Sequence, residues 1–308
     1  MKSATALIFC FGIILSGALP QNDLLQNTAS TLGGRLFTAI KEGSVDKVQN
    51  IIENREVGDT VKNGALNWAI KLGQQKIAEL LMNKGRVHPS DSHLTHATEK
   101  GDTNMVETLL KYGANINGNS ERHKTVLQTA IEVGKDQVAS LLLDRGANVN
   151  IPDNEGKTAL HYAAEFGKEQ IAEAIIKKGA DVNVLDNVKK SALHYAAQTG
   201  FEKVTDVLLQ NKANPNEANK NGLTPLHFAS LNGSRNIAEN LINHGGDVNK
   251  EDELGKTPFY YAVGDAAKAK IVDLLIHKGA DVTHEDYQGR TALHRAAEFG
   301  IRLIVIFF

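Results

Sequence analysis

From Arg35 onward the chain alternates short apolar blocks with polar punctuation on a steady beat. Thr125, Thr158, Ser191, Thr224, Thr257 and Thr291 each stand just ahead of an apolar stretch, where a hydroxyl can satisfy the free N–H groups of a helix start. Pro225 and Pro258 follow such residues at the first helical position, where proline is tolerated, so a helix is predicted behind each cap. A second block then carries Ile171, Ile175 and Ile176, or Val204, Leu208 and Leu209, at the i, i+4, i+5 spacing of one helical face, and that face is read as core. Glycine separates the two blocks, at Gly43, Gly73, Gly101, Gly134, Gly167, Gly200, Gly233 and Gly300, with Ala266 as the exception. A glycine there permits the left-handed conformation that ends a helix.

The beat has a length. The stretch GKTALHYAAEFG, Gly156 to Gly167, returns 33 residues later as KKSALHYAAQTG and again as GLTPLHFASLNG. One alanine column, Ala39, Ala69, Ala97, Ala130, Ala163, Ala196, Ala229, Ala262 and Ala296, is spaced by 30, 28, 33, 33, 33, 33, 33 and 34 residues. So regular a period means stacked units, each a supersecondary element that cannot bury its apolar face alone. Small pairs such as Ala163-Ala164 let neighbouring helix backbones press together. The second helices are expected to stop at Gly113, Gly146, Gly179, Gly245 and Gly279, and the turn residues that follow predict an exposed loop into the next unit.

The stretches TALHYAA, TPLHFAS and TALHRAA, together with GADVN, resemble the ankyrin repeat. The resemblance implies an all-α solenoid of stacked helix-turn-helix units joined by β-turn or hairpin loops, covering residues 35–308 in about nine units. Lys47 stands where other units carry an apolar residue, as suits a terminal unit whose outer face meets water, and an extra residue within Val263 to Lys270 predicts a bulge between helices. The last unit is expected to be truncated, because it runs into the apolar tail Ile301 to Phe308.

Ahead of the repeats, a basic start (Lys2), an apolar run from Ala4 to Leu15 and the small residues Ser16-Gly17-Ala18 read as a signal peptide, 1–18, with 19–34 as a linker. The run is too short for the roughly 20 residues of a spanning helix. The expectation is therefore a secreted, extracellular protein, with cytoplasmic residence as the alternative if the segment is not used. Cys10, the sole cysteine, lies inside that segment, so a cleaved chain has no disulfide and is held by packing alone. Formal charge is −2, and removing residues 1–18 takes away one lysine and no acid, leaving −3. With no run of like charge there is no footprint for a phosphate backbone, and nucleic acid is not expected as a partner. Membrane insertion of the mature chain is not expected either.

Chemistry is sparse. His161, His194, His227 and His294 share one repeat slot, which Gln128 and Tyr260 fill elsewhere. Units stack roughly 10 Å apart, too far for neighbouring imidazoles to share a zinc ion at about 2 Å each. In the ankyrin family this histidine hydrogen-bonds near the start of the first helix, which implies a scaffold role. His93, His96 and Glu99 lie near one helical face at i, i+3, i+6 but fall in a degenerate unit without the capping threonine, and a solvated helix is favoured over a metal site. No phosphate loop or nucleophile elbow is present. No catalytic, cofactor or metal residue is assigned, and the chain is read as a non-enzyme.

The family resemblance instead implies a protein-binding concave surface of loop tips and first helices. By repeat position these are Asn154, Glu155, Lys157, Glu165, Phe166, Asn187, Lys190, Gln198, Thr199, Lys220, Asn221, Leu223, Leu231, Asn232, Glu253, Leu254 and Lys256. Apolar Phe166, Leu223, Leu231 and Leu254 incline that surface toward another protein as partner. Asn232 also begins the sequon Asn232-Gly233-Ser234 and is a possible glycosylation site. The expected function is a secreted, non-enzymatic protein-binding scaffold. The alternatives are a venom or toxin-type secreted effector, since the latrotoxins resemble this chain in carrying ankyrin arrays, and an intracellular adaptor.

Overall fold

A computed structural model of the chain describes residues 31–53, 57–120, 123–263 and 265–298. The expected signal segment 1–18, Cys10 and the apolar tail 301–308 lie outside the described residues. The protein is an all-α array of paired helices, and among the described residues no strand forms, only an isolated bridge between Glu285 and Thr291. It divides into two compact units at Ser120/Glu121.

The N-terminal unit holds α1 (Leu32–Lys41), α2 (Val45–Ile52), α3 (Asp59–Leu72), α4 (Gln75–Asn83), α5 (Asp91–Lys100) and α6 (Thr103–Lys111). Its first helix starts at Leu32, within the segment read as a linker, because the Thr31 hydroxyl caps it by accepting from Gly34 N–H at 3.2 Å. Leu36, Ile40, Leu66, Ile70, Ile77, Leu81, Leu94 and Leu109 form a core that is at most 1% exposed. Lys47 is exposed and paired with Glu42 at 2.7 Å, while Val48 and Ile52 supply the buried face of α2.

The C-terminal unit holds α7 (Val126–Glu132), α8 (Asp136–Asp144), α9 (Ala159–Glu165), α10 (Glu169–Lys177), α11 (Ala192–Thr199), α12 (Glu202–Gln210), α13 (Pro225–Asn232), α14 (Arg235–Asn243), α15 (Pro258–Ala262), α16 (Ala269–His277) and α17 (Ala292–Glu298). The odd-numbered first helices pack in sequence on one another, as do the second helices. Ala163, Ala164, Ala196 and Ala197 are completely buried at these contacts, where any larger side chain would force the backbones apart. Ile176 is half-buried rather than core, and Ala172 takes its place in the interior. The extra residue predicted after Val263 is absorbed as a 3-10 turn, Ala266–Lys268, ahead of α16.

Most second helices end on a left-handed glycine, for example Gly146 at φ 85° and Gly179 at φ 88°, while Lys212 takes that conformation at φ 65° after α12. Fourteen residues then lead into the next first helix, as in 178–191 and 211–224. The corresponding N-terminal connections, 53–58 and 84–90, are about half that length. That shortfall, partly offset by longer first helices, accounts for the spacings of 30 and 28 there.

Candidate functional site

The loop tips of the C-terminal unit are built around a repeated carboxylate. Asp186 Oδ1 accepts the backbone N–H groups of Val188 (2.9 Å) and Lys190 (2.8 Å), and its Oδ2 accepts the Tyr195 hydroxyl at 2.7 Å. Asp153 does the same with Glu155, Lys157 and Tyr162, and Asp252 with Leu254, Lys256 and Tyr261. Burial, reinforced by the adjacent carboxylate, pushes these three phenols well above the ordinary tyrosine range, so they stay protonated donors. Where the aromatic residue is Phe228 and offers no hydroxyl, the carboxylate is replaced by the neutral Asn219, which still closes the turn onto Asn221 and Leu223 N–H. An acid without a partner for its second oxygen would be a half-satisfied buried charge, and at Asp286, which has no tyrosine nine residues on, Arg290 Nε donates to Oδ2 at 3.3 Å instead.

Tips are laced to one another by backbone bonds, Asn187 N–H to Glu155 C=O (2.8 Å), Lys220 to Val188 (3.0 Å), Glu253 to Asn221 (3.1 Å) and Tyr287 to Leu254 (3.1 Å). Gly222, at φ +77°, meets the next tip so closely that a Cβ would lie 2.5 Å from Glu253 N.

Behind the tips runs a row of cations laid over aromatic rings. Lys157 Nζ is 4.8 Å from the Tyr195 ring centre, and Lys190 Nζ is 5.1 Å from Tyr195 and 4.9 Å from Phe228. Lys124 lies 5.0 Å from Tyr162, and Lys256 the same distance from Tyr260. Such stacking draws the lysine stems down, so Lys157, Lys190 and Lys256 are half-buried where the sequence reading took them as solvent-facing. Their partners differ along the row. Lys124 pairs with Glu132 at 2.7 Å and Lys157 with Glu165 at 3.2 Å, whereas Lys190 meets the uncharged Gln198 Oε1 at 2.7 Å. Burial pulls Lys157 down, but the Glu165 and Glu155 carboxylates together outweigh it and the net shift is upward. For Lys190, burial prevails over the distant Asp186 and the net shift is downward.

Of the remaining residues placed on this face from sequence, Asn154, Glu155, Asn187, Lys220, Asn221, Glu253 and Leu254 are exposed at the tips, and Phe166, Gln198, Thr199, Leu231 and Asn232 at the ends of first helices. Glu165 is half-buried against Lys157. Leu223, expected in the open, is half-buried, and its C=O accepts both Asn219 N–H and His194 Nε2–H. The Thr199 hydroxyl is turned back onto Tyr195 C=O at 2.8 Å. Asn232 Nδ2 donates to the carbonyls of Ala197 and Gln198 in the preceding unit. Two apolar tip residues escaped the sequence reading, Val188 (47% exposed) and Tyr287 (70%), although their two-residue offset from Asp186 and one-residue offset from Asp286 match Leu254 and Glu253 after Asp252.

The histidine column is structural joinery. His194 Nδ1 accepts Ser191 N–H at 3.0 Å, and Nε2–H donates to Leu223 C=O of the following unit at 3.1 Å. His161 and His227 repeat this with Lys190 and Lys256 C=O, both at 3.1 Å. Burial holds His194 and His227 at about 4, keeping both neutral in the tautomer that these bonds require. Gln128 imitates the bridge, accepting Thr125 N–H and donating to Ile151 and Lys157 C=O. His93 proves to be a further member. Its helix starts at Ser90, whose N–H it accepts at 2.9 Å, so the cap that seemed missing is a serine displaced along a longer helix. The described residues hold no group of three His, Cys, Asp or Glu side chains placed to share a metal, and no helix among them is long and apolar enough to cross a membrane.

Comparison with known proteins agrees with this geometry. The ankyrin repeats family matches in three copies, over residues 94–186, 179–252 and 241–308. A curated relative, the 26S proteasome non-ATPase regulatory subunit 10 of Dictyostelium discoideum, is 33% identical over 97 residues, 28% of this chain and 42% of that protein. The match therefore spans less than half of that relative's length.

Proposed function

The chain belongs to the ankyrin repeat family, and we propose that it is a non-enzymatic scaffold that grips another protein through the loop tips and first-helix ends of its C-terminal unit, acting outside the cell. The observation that carries this reading is the asymmetry of exposed apolar surface. Phe166, Val188, Leu231, Leu254 and Tyr287 are 39–70% exposed, all on the tip and first-helix side. On the second helices, by contrast, polar groups bond among themselves, as Asn236 does with Glu202 and Asn240 with Asp206. Apolar residues gathered on one side of a protein mark contact sites. A pull-down with the full chain, read by mass spectrometry against Leu231→Asp and Leu254→Asp variants, tests it. A partner retained equally by all three chains contradicts the assignment of the face.

Export rests on the basic, apolar and small-residue order of residues 1–18. Mass measurement of the mature N-terminus tests it, and a chain that retains Met1 and Lys2 contradicts it. The likeness to a proteasome regulatory subunit favours a second reading, an intracellular adaptor within a larger assembly. If the chain is exported, the Asn232 sequon goes unused in folded protein, because its amide nitrogen already clasps the preceding unit. Intact mass before and after glycosidase treatment checks this.

A further inference from the structure

Along the row behind the tips, charge is neutralised at one end and open further on. Lys124 and Lys157 are closed off by Glu132 and Glu165. One unit later the acid is replaced by Gln198, and in the next unit both positions turn apolar, as Leu223 and Leu231. One unit further, Lys256 stacks on Tyr260 and has no ion-pair partner among the described residues. Lys190 and Lys256 thus flank an apolar step, and each is desolvated on one side by a ring, which raises the worth of a carboxylate arriving from the other. Lys189 and Lys220 at the neighbouring tips add positive charge, against Glu253. Asp186 does not close Lys190 off, since both its oxygens are held by Val188 and Lys190 N–H and the Tyr195 hydroxyl.

Resting on the scaffold reading above, we propose that the partner segment bound here is an extended, acidic stretch of protein that sets carboxylates on Lys190 and Lys256 and an apolar side chain between them on Leu223 and Leu231. Two units of helix packing separate the lysines by roughly 20 Å. At about 3.3 Å per residue this places the two acids about six residues apart, with the apolar residue near the middle. A phosphate backbone fits less well, because it offers nothing to the leucine step and the row's other lysines are already paired.

The test is selection of a random 12-residue phage-displayed library on the full chain, followed by fluorescence anisotropy of the enriched peptides against variants. Enriched peptides should carry an apolar residue between Asp or Glu. Lys190→Gln and Lys256→Gln should each weaken them about threefold to fivefold, the scale of one exposed ion pair. Leu231→Asp should weaken them at least tenfold, and affinity should fall with added salt. Lys190→Arg, which keeps both the charge and the ring stacking, should bind like the parent, and equal thermal melting of the variants separates lost contact from lost fold. Basic or uncharged peptides that still depend on Leu231 would overturn the acidic chemistry while leaving the scaffold face standing. Peptides indifferent to all these variants, or no enrichment at all, would overturn both. A 20-nucleotide single-stranded DNA that displaces the selected peptides with equal affinity would overturn the choice of protein as occupant.

Discussion

The two compact units solve one packing problem with different polar hardware. Both bury alternating leucine, isoleucine and alanine faces between paired helices. The C-terminal unit adds bridges from His161, His194 and His227, with Gln128 standing in at one joint, and tips closed by an aspartate or, at Asn219, its amide. In the N-terminal unit the joints are improvised. Gln74 Nε2 donates to Ile40 C=O at 2.7 Å, Lys100 Nζ to Lys71 C=O at 3.0 Å, and His93 Nε2 reaches Asn63 C=O of the preceding unit at 3.3 Å. Its α3 begins at Gly58 with no side-chain cap. Apolar burial is thus sufficient to stack helices, and the long tips are a separate investment, made where the exposed apolar residues of the proposed face are found.

Acid should separate the two units most strongly. A histidine whose folded pKa lies below its unfolded value takes up its proton first in the unfolded chain, so the stability it supports is intact above pH 6.5 and drains away as pH falls toward 4. With His194 and His227 held at about 4, the loss is about 1.4 kcal/mol per pH unit for each, so about 4 kcal/mol from the pair by pH 5. His161 adds in the same direction. Trp68, the single tryptophan, reports the N-terminal unit, where burial lowers His93. Far-UV circular dichroism should therefore fall before Trp68 fluorescence on titration from pH 7 to 4.5, and coincident transitions would contradict the contrast.

Asp186→Ala comes next, leaving two backbone N–H groups and the Tyr195 hydroxyl without their acceptor, a loss of about 3 kcal/mol in urea unfolding. Asp186→Asn with Tyr195→Phe reproduces the Asn219/Phe228 arrangement and should recover about 1 kcal/mol relative to the sum of the single changes. Gly222→Ala sharpens the role of tip contact, since φ +77° and a Cβ 2.5 Å from Glu253 N should together cost about 2 kcal/mol. Gly113→Ala, at φ +91° with open space around it, should cost about 1 kcal/mol. The smallest effect is expected for His194→Gln at pH 7.5, within about 1 kcal/mol, because Gln128 already makes the same bridge. Melting temperatures that rank these variants otherwise would contradict the scheme.

Much of the fold was legible because caps, breaks and apolar columns are local and recur. Thr158, Pro225 and Gly179 each act where their chemistry places them. The cap at Ser90 was hidden because α5 runs ten residues, which moves it out of the column defined by Ala97. The site was less legible, because its character depends on what lies above each side chain. Lys157, Lys190 and Lys256 read as solvated charges until the rings beneath them are known, and Leu223 reads as exposed until the preceding unit is in place. A signal for the tips was available, since Asp153/Tyr162, Asp186/Tyr195 and Asp252/Tyr261 keep a nine-residue partnership that Asn219/Phe228 alters at both ends together.

The acceptor for His161, His194 and His227 is a backbone carbonyl, supplied by a lysine in two cases and a leucine in the third. Because every residue carries that carbonyl, the joint is indifferent to the identity of the residue that offers it. A block of 33 residues could be duplicated, deleted or exchanged within the gene and meet its new neighbour on the same terms, while the side chains at the tips drift freely. The fastening of the array is thus insulated from its recognition, and partner choice can be rewritten by inheritance without renegotiating the fold.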